Sequence, residues 1–360
     1  MQANAPQDHV ADSATPAATP ADPVVIVGSG LAGWTVAREL RTRAPAQAIT
    51  LVTADAGDFY SKPMLSNAFA QKKDAVQLVQ RPGEQQAQAQ KVTLLANTRV
   101  VGLDAARHAL QTSSGTLSYS RLVLALGADP IRLTLPGIEH SFSVNDIQDY
   151  ARLRTALTAA GPGAHVVTLG AGLIGSEFAN DLVLGGYKVS VIDPAAWPIG
   201  NLISEEQGTS LRAALEALGV QFHCGDVALS INARPQGGYT LVLRSGVQIE
   251  ADLVLSAVGL QPRVELARAA GLQTGRGIVV DTWGRTSDPD VYALGDCAAY
   301  TSAARPDIAG GAPRALPYIL PIMAAAKAIA ATLAGEPTPI AFGPMAVRVK
   351  TPALPLTING

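Results

Sequence analysis

Cysteine is nearly absent from this chain: Cys224 and Cys297 are the only two. They stand far apart, with no CxxC or CxxxxC spacing, which excludes a redox-active disulfide and a thiolate zinc site. The five histidines, His9, His108, His140, His165 and His223, form no ligand spacing, so no metal is expected. Charge is also sparse, at 16% Asp, Glu, Lys and Arg with a formal net charge of −2. No basic face for nucleic acid follows from that balance. Long apolar runs are missing too. The most apolar late segment, 316–335, is interrupted by Pro317, Pro321 and Lys327, which suits a buried helix better than a membrane span. Residues 1–22 lack both a basic start and an apolar centre, so they read as a disordered tail rather than a signal peptide or anchor. A reducing, cytoplasmic setting fits all of this.

What the chain does have is core-forming material, 48% hydrophobic over 360 residues, enough for two domains and part of a third. The apolar strand 24–27 runs into "GSGLAG" (Gly28, Ser29, Gly30, Leu31, Ala32, Gly33). A helix from Trp34 to about Arg43 and a strand over 49–52 complete a βαβ unit. The pattern recurs. A strand over 166–169 leads into "GAGLIG" (Gly170, Ala171, Gly172, Leu173, Ile174, Gly175), a helix to about Leu184, and "KVSVID". In GxGxxG the first glycine permits the tight turn, the second admits a pyrophosphate, and the third lets helix and strand pack closely. One such motif is weak evidence; two, each between an apolar strand and a helix, point to two dinucleotides.

The acid expected after the second strand differs between the copies. Asp193 ends "KVSVID" and is placed to bind the ribose diol of NADH while repelling the extra phosphate of NADPH. The first copy has Thr53 there and Asp55 two positions on. Asp55 either reaches an adenosine ribose or is a solvated turn aspartate. Further strands are expected near 92–95, 99–103, 108–111, 239–243 and 251–257, and in "RLVLALGADP" (121–130), where the strand ends at a glycine. The fold class is therefore α/β, with two Rossmann-like dinucleotide-binding domains, the second inserted in the first. The expected division is 23–138 and 259–336 for the first domain, 139–258 for the second, and 337–360 for the start of a small C-terminal domain.

"DFYSKPMLS" (58–66) puts Lys62 before a proline, among aromatic and small residues. Such a segment is too apolar for an ordinary loop and too charged for an ordinary core.

Taken together, the two fingerprints, "LVLALGADP", "SAVGLQPR" and "VYALGDCA" resemble the two-dinucleotide flavoprotein reductases. "YSKPMLS", "GLIGSEFANDL" and "VKTPALP" narrow the resemblance to the bacterial FAD-dependent NADH:rubredoxin reductases, over about residues 23–356. The resemblance implies FAD at Gly28–Gly33, with Asp296 on its ribityl chain, Ala125 and Gly127 lining it and Val100 at its adenine. It implies NAD(H) on the second fingerprint, with Gly259 of "SAVGLQPR" also in a cofactor site. Lys350 of "VKTP" would lie near the flavin ring; as a bare sequence position it reads as an exposed strand lysine. Lys62 and Glu177 would be the catalytic pair, the ammonium stabilising charge on the reduced ring and the glutamate making the lysine tolerable. Glu177 also reads as an ordinary first-turn glutamate at a helix dipole.

The implied activity passes a hydride from NADH to FAD and then single electrons to a rubredoxin. A ferredoxin reductase serving an oxygenase is the alternative, since the same scaffold suits either carrier. A nucleotide-binding regulator or a fragment without catalysis is a third, because fold alone does not establish function. An NADH oxidase or peroxidase would need a cysteine where Lys62 stands. Family members usually continue some tens of residues past "VKTPALP", so an incomplete C-terminal domain is expected, which puts in question any homodimer contact it makes.

Overall fold

A computed structural model describes residues 22–302, 311–343 and 346–359. The expected tail lies outside these residues except for Asp22. Five short strands form the first sheet in the order Val291–Ala293, Arg121–Leu124, Val24–Val27, Ile49–Val52, Thr93–Leu95, all parallel. Their side chains are apolar on both faces and mostly buried, as strands covered on both sides require. Four strands form the second sheet, in the order Gln221–Cys224, Lys188–Asp193, His165–Leu169, Leu253–Ser256, again parallel. Val291–Ala293 follows the whole second sheet in sequence and yet completes the first. That is the inserted topology expected from the order of the motifs.

Each sheet carries its own three-stranded antiparallel meander. One runs Val100–Asp104, Ala109–Thr112, Gly115–Ser118; the other runs Ala228–Ala233, Tyr239–Leu243, Gln248–Ala251. The two crossings between the units are zipped together. Ala128–Pro130 pairs antiparallel with Leu260–Pro262, and Arg263 bridges Asp129 across the pair at 2.6 Å.

The fingerprint helices run Leu31–Arg43 and Leu173–Leu184. The first starts three residues before Trp34 because Gly30 is its N-cap, in extended backbone at φ −71° and ψ −174°. The late apolar segment forms the helix Ile319–Leu333, with Pro321 in its first turn, where a missing N–H costs nothing. Its Ala325, Ala326, Ile329 and Ala330 are buried in the first core beside Trp34 and Leu40. No helix among the described residues is long and apolar enough to cross a membrane.

The second core holds a surprise for the expected division of the chain. Leu65, Ala68, Phe69 and Leu78 precede residue 138, yet they pack with Phe178, Leu182, Val191 and Leu211 of the inserted unit. Their segment is a strap from one unit laid into the other. The C-terminal strands Ala346–Val349 and Leu356–Asn359 pair antiparallel, and Val349 and Leu356 pack on the same core.

Candidate functional site

The two glycine turns are near copies in geometry. Gly28 (φ +113°) and Gly170 (φ +97°) sit in left-handed backbone that side chains avoid. A Cβ on Gly33 would lie 1.9 Å from the Gly28 carbonyl oxygen, and one on Gly175 would lie 2.0 Å from that of Gly170. Those two glycines are required by packing alone. Gly30 and Gly172 differ: a Cβ there would meet nothing within 4 Å. Both are helix N-caps without a side-chain cap, so the first N–H groups of each helix point into open space. An open cradle of unpaired N–H groups at a helix N-terminus is an anion site.

Behind the first cradle, Asp55 is exposed in a bend but not free. Its Oδ1 accepts from Ser29 Oγ (3.0 Å), Thr53 Oγ1 (2.7 Å) and the Gly57 N–H (2.8 Å). Thr53 occupies the expected acid's place and is hydrogen-bonded to Asp55 two positions on. Behind the second, Asp193 accepts from the Ala171 N–H at 2.5 Å and the Ala195 N–H at 2.7 Å. Asp193 thus shapes the turn that it was expected to serve.

Lys62 opens a short 3₁₀ turn, Lys62–Ser66. Its Nζ donates to Asn145 Oδ1 at 2.7 Å, and the Asn145 amide donates in turn to the Ala128 carbonyl at 2.9 Å. Burial lowers the lysine's pKa, with the Asp296 carboxylate opposing the shift and the Arg263 guanidinium adding to it. Asp296 therefore stands within electrostatic reach of Lys62. It follows Gly295, whose added Cβ would lie 3.2 Å from that of Ala32, which places the Asp296 turn against the first fingerprint helix.

The expected Lys62–Glu177 pair does not form. Glu177 is buried and contacts Lys350 instead, its Oε2 accepting from the Lys350 ammonium and from Ser66 Oγ (2.7 Å), its Oε1 from the Lys350 N–H (3.0 Å). The segment after the strand Ala346–Val349 brings a second lysine to the glutamate, while the Lys62 ammonium donates to the Asn145 amide oxygen. Lys350 is accordingly no exposed strand lysine.

The other expected residues fall around these groups. Ala125 backs the first turn, its carbonyl oxygen 2.2 Å from where a Gly28 Cβ would be. Gly127 (φ +73°) and Gly259 (φ +110°) flank the zipped crossings, Gly259 accepting from the Ile131 N–H. Val100 begins the first meander, partly buried against the first core. In the second fingerprint Leu173 packs on the second core while Ile174 remains exposed. Asn145 was not anticipated; it precedes a helix capped by Asp146 and reads in sequence as part of that cap.

Residues 22–321 match the model of the pyridine nucleotide-disulphide oxidoreductases. The chain belongs to this family. It is 43% identical to a rubredoxin-NAD(+) reductase of Alcanivorax borkumensis, over 93% of this chain and 85% of that one. It is 38% identical to the nitric oxide reductase FlRd-NAD(+) reductase of Aeromonas hydrophila, over 94% of this chain and 83% of that one. Among solved structures it superposes on a ferredoxin reductase for the CYP199A2 system from Rhodopseudomonas palustris with a TM-score of 0.82 and 31% identity, covering 91% of this chain and 79% of that one. As a member of the pyridine nucleotide-disulphide oxidoreductases, the chain is an oxidoreductase that uses FAD and NAD(H). The two open cradles fit two pyrophosphates. The disulphide in the family's name has no counterpart among the described residues, where both cysteines are free. Complete burial pushes the Cys297 thiol up to about 11, so it stays protonated and unreactive.

Proposed function

We propose that this protein is an NADH-dependent reductase of rubredoxin or a rubredoxin-like carrier. The observation that carries the reading is its 43% identity to a rubredoxin-NAD(+) reductase over 93% of the chain, on a fold with both cradles intact. The first cradle, Gly28–Gly33, takes the FAD pyrophosphate, with Asp55, Val100, Ala125, Gly127 and Asp296 around that cofactor. The second, Gly170–Gly175, takes NADH, with Asp193 for its ribose diol. Bound FAD would supply the conversion between a two-electron hydride donor and a single-electron acceptor.

The chain's own residues do the positioning. Asn145, itself anchored on the Ala128 carbonyl, accepts from the Lys62 ammonium, so that a cation stands ready where negative charge develops during reduction. Glu177 and Ser66 hold Lys350 at the end of the same 3₁₀ turn. The site's work is to fix two cations against the two units and leave the glycine turns free. We also place the enzyme in the cytoplasm, where NADH is made.

A second reading, ferredoxin as the acceptor, is favoured by the superposition on a ferredoxin reductase. Steady-state reduction of purified rubredoxin and ferredoxin by NADH separates the two. The rubredoxin reading expects a kcat/KM about tenfold or more in favour of rubredoxin, a difference of about 1.4 kcal/mol. Equal or better turnover with ferredoxin would replace it.

A further inference from the structure

Besides Ser176, the helix Leu173–Leu184 buries three polar side chains at positions i, i+3 and i+4, Glu177, Asn180 and Asp181, which are 3%, 1% and 2% exposed. Glu177 meets Lys350, and Asn180 Oδ1 accepts from the Ala353 N–H at 3.1 Å. Asp181 is held by backbone alone. Its Oδ2 accepts from the N–H groups of Ala68 (2.8 Å) and Phe69 (2.9 Å), its Oδ1 from that of Ala70 (2.9 Å). The location is an expensive one for an anion. It lies in the last turn of the helix, where the macrodipole is unfavourable to negative charge. Burial pushes the carboxyl above the usual carboxylate range, against the pull of the three N–H groups and the more distant Lys350. Three successive N–H groups form a concavity shaped for an anion, and here the chain fills it from a residue more than 110 positions away.

Those amides follow directly on the 3₁₀ turn that begins at Lys62. The far end of the helix presses on the same segment: a Cβ on Gly185 would lie 3.2 Å from that of Phe69. Phe69 in turn packs on Tyr150, ring centroids 5.0 Å apart. We propose that Asp181 is a positioning residue, whose carboxylate clamps the Ala68–Ala70 turn to the helix of the second cradle and thereby sets where Lys62 stands during flavin reduction. This rests on the reading of Lys62 as the cation beside the flavin, and not on which carrier is reduced.

The test is a double-mutant cycle read by stopped-flow bleaching of bound FAD with NADH, with no carrier present. Asp181→Asn keeps the side chain's size, removes its charge and sets an amide against three N–H donors. It should slow bleaching about tenfold with Lys62 present, and by about twofold or less in a Lys62→Met background, because a residue acting through Lys62 has nothing left to act on. A purely structural clamp would slow both backgrounds equally, and that result overturns the proposal. So does wild-type bleaching in Asp181→Asn, or in Lys62→Met with FAD fully bound. The expected pattern of bleaching across the four proteins, combined with no rubredoxin reduction by the wild type, would strike the proposed function and leave this inference standing. Where Asp181→Asn does not accumulate folded, hydrogen exchange in the wild-type holoenzyme decides. The amides of Ala68, Phe69 and Ala70 should exchange as slowly as those of Phe178–Leu182, and free exchange at all three refutes the clamp.

Discussion

At the scale of single residues, Asp193 and Lys62 each have two demands on them. Asp193 accepts two backbone N–H groups, and a carboxylate has roughly four lone-pair sites, so capacity remains for a ribose diol. Asp193→Ala should lower kcat/KM for NADH about tenfold or more and that for NADPH less, narrowing their ratio. The comparison of the two nucleotides cancels whatever the lost turn contacts do to both; an unchanged ratio removes Asp193 from nucleotide choice. For Lys62 the sign follows from its burial, which lowers its pKa. The ammonium is complete at low pH and is lost as pH rises through that lowered value, so FAD reduction by NADH should decline on the alkaline side earlier than an exposed lysine would allow. Lys62→Arg does not titrate in that range and should flatten the limb. An alkaline limb identical in both proteins assigns the titration elsewhere. Because Glu177 is engaged by Lys350, adding Glu177→Gln to Lys62→Met should not rescue the rate.

At the scale of elements, each glycine turn contains two glycines required by packing and one left open for a ligand. The difference predicts opposite outcomes for the same substitution. Gly33→Ala puts a methyl 1.9 Å from the Gly28 oxygen, so the strand–helix junction must open and the protein should lose folding yield and several kcal/mol of stability. Gly30→Ala meets no protein atom within 4 Å and should fold normally but copurify with little FAD, read from the flavin absorbance per chain. A yellow, fully loaded Gly30→Ala protein would show that the cradle does not hold the pyrophosphate. These turns were legible in the sequence because everything that makes them is local, within a strand, six residues and a helix. The Lys62 partner was not legible, because Asn145 reaches it across 83 positions, and nothing in "SVND" separates a lysine anchor from a helix cap. The same holds for Lys350 and Glu177, 173 positions apart: both residues were expected at the site, but their pairing depends on how the C-terminal strands fold back. Asp55 lay between these cases, since its network with Ser29 and Thr53 spans only the βαβ unit.

At the scale of the whole molecule, electron flow must be explained without a disulfide. The fold is that of the pyridine nucleotide-disulphide oxidoreductases, yet Cys224 ends a strand of the second sheet while Cys297 is sealed in the first core. Its Sγ donates to the Leu124 and Leu294 carbonyls at 3.4 and 3.3 Å, and burial keeps it a thiol. Cys224 is half-buried, and burial raises its pKa as well, so neither sulfur is a ready nucleophile. All current between NADH and the carrier should therefore pass through FAD alone, with Lys62 and Lys350 as the charges held between the units. The double variant Cys224→Ala with Cys297→Ser tests this directly. Serine at 297 keeps a donor for the two carbonyls and opens no large cavity, so the cost should stay near 1–2 kcal/mol, visible as a lower melting temperature. NADH-to-rubredoxin turnover at a temperature where the variant is folded should remain within about twofold of wild type, since no lost group touches the reacting atoms. Collapse of turnover with FAD still bound and reducible by NADH would place a cysteine in the path from flavin to carrier, and the disulfide-free route would have to be abandoned.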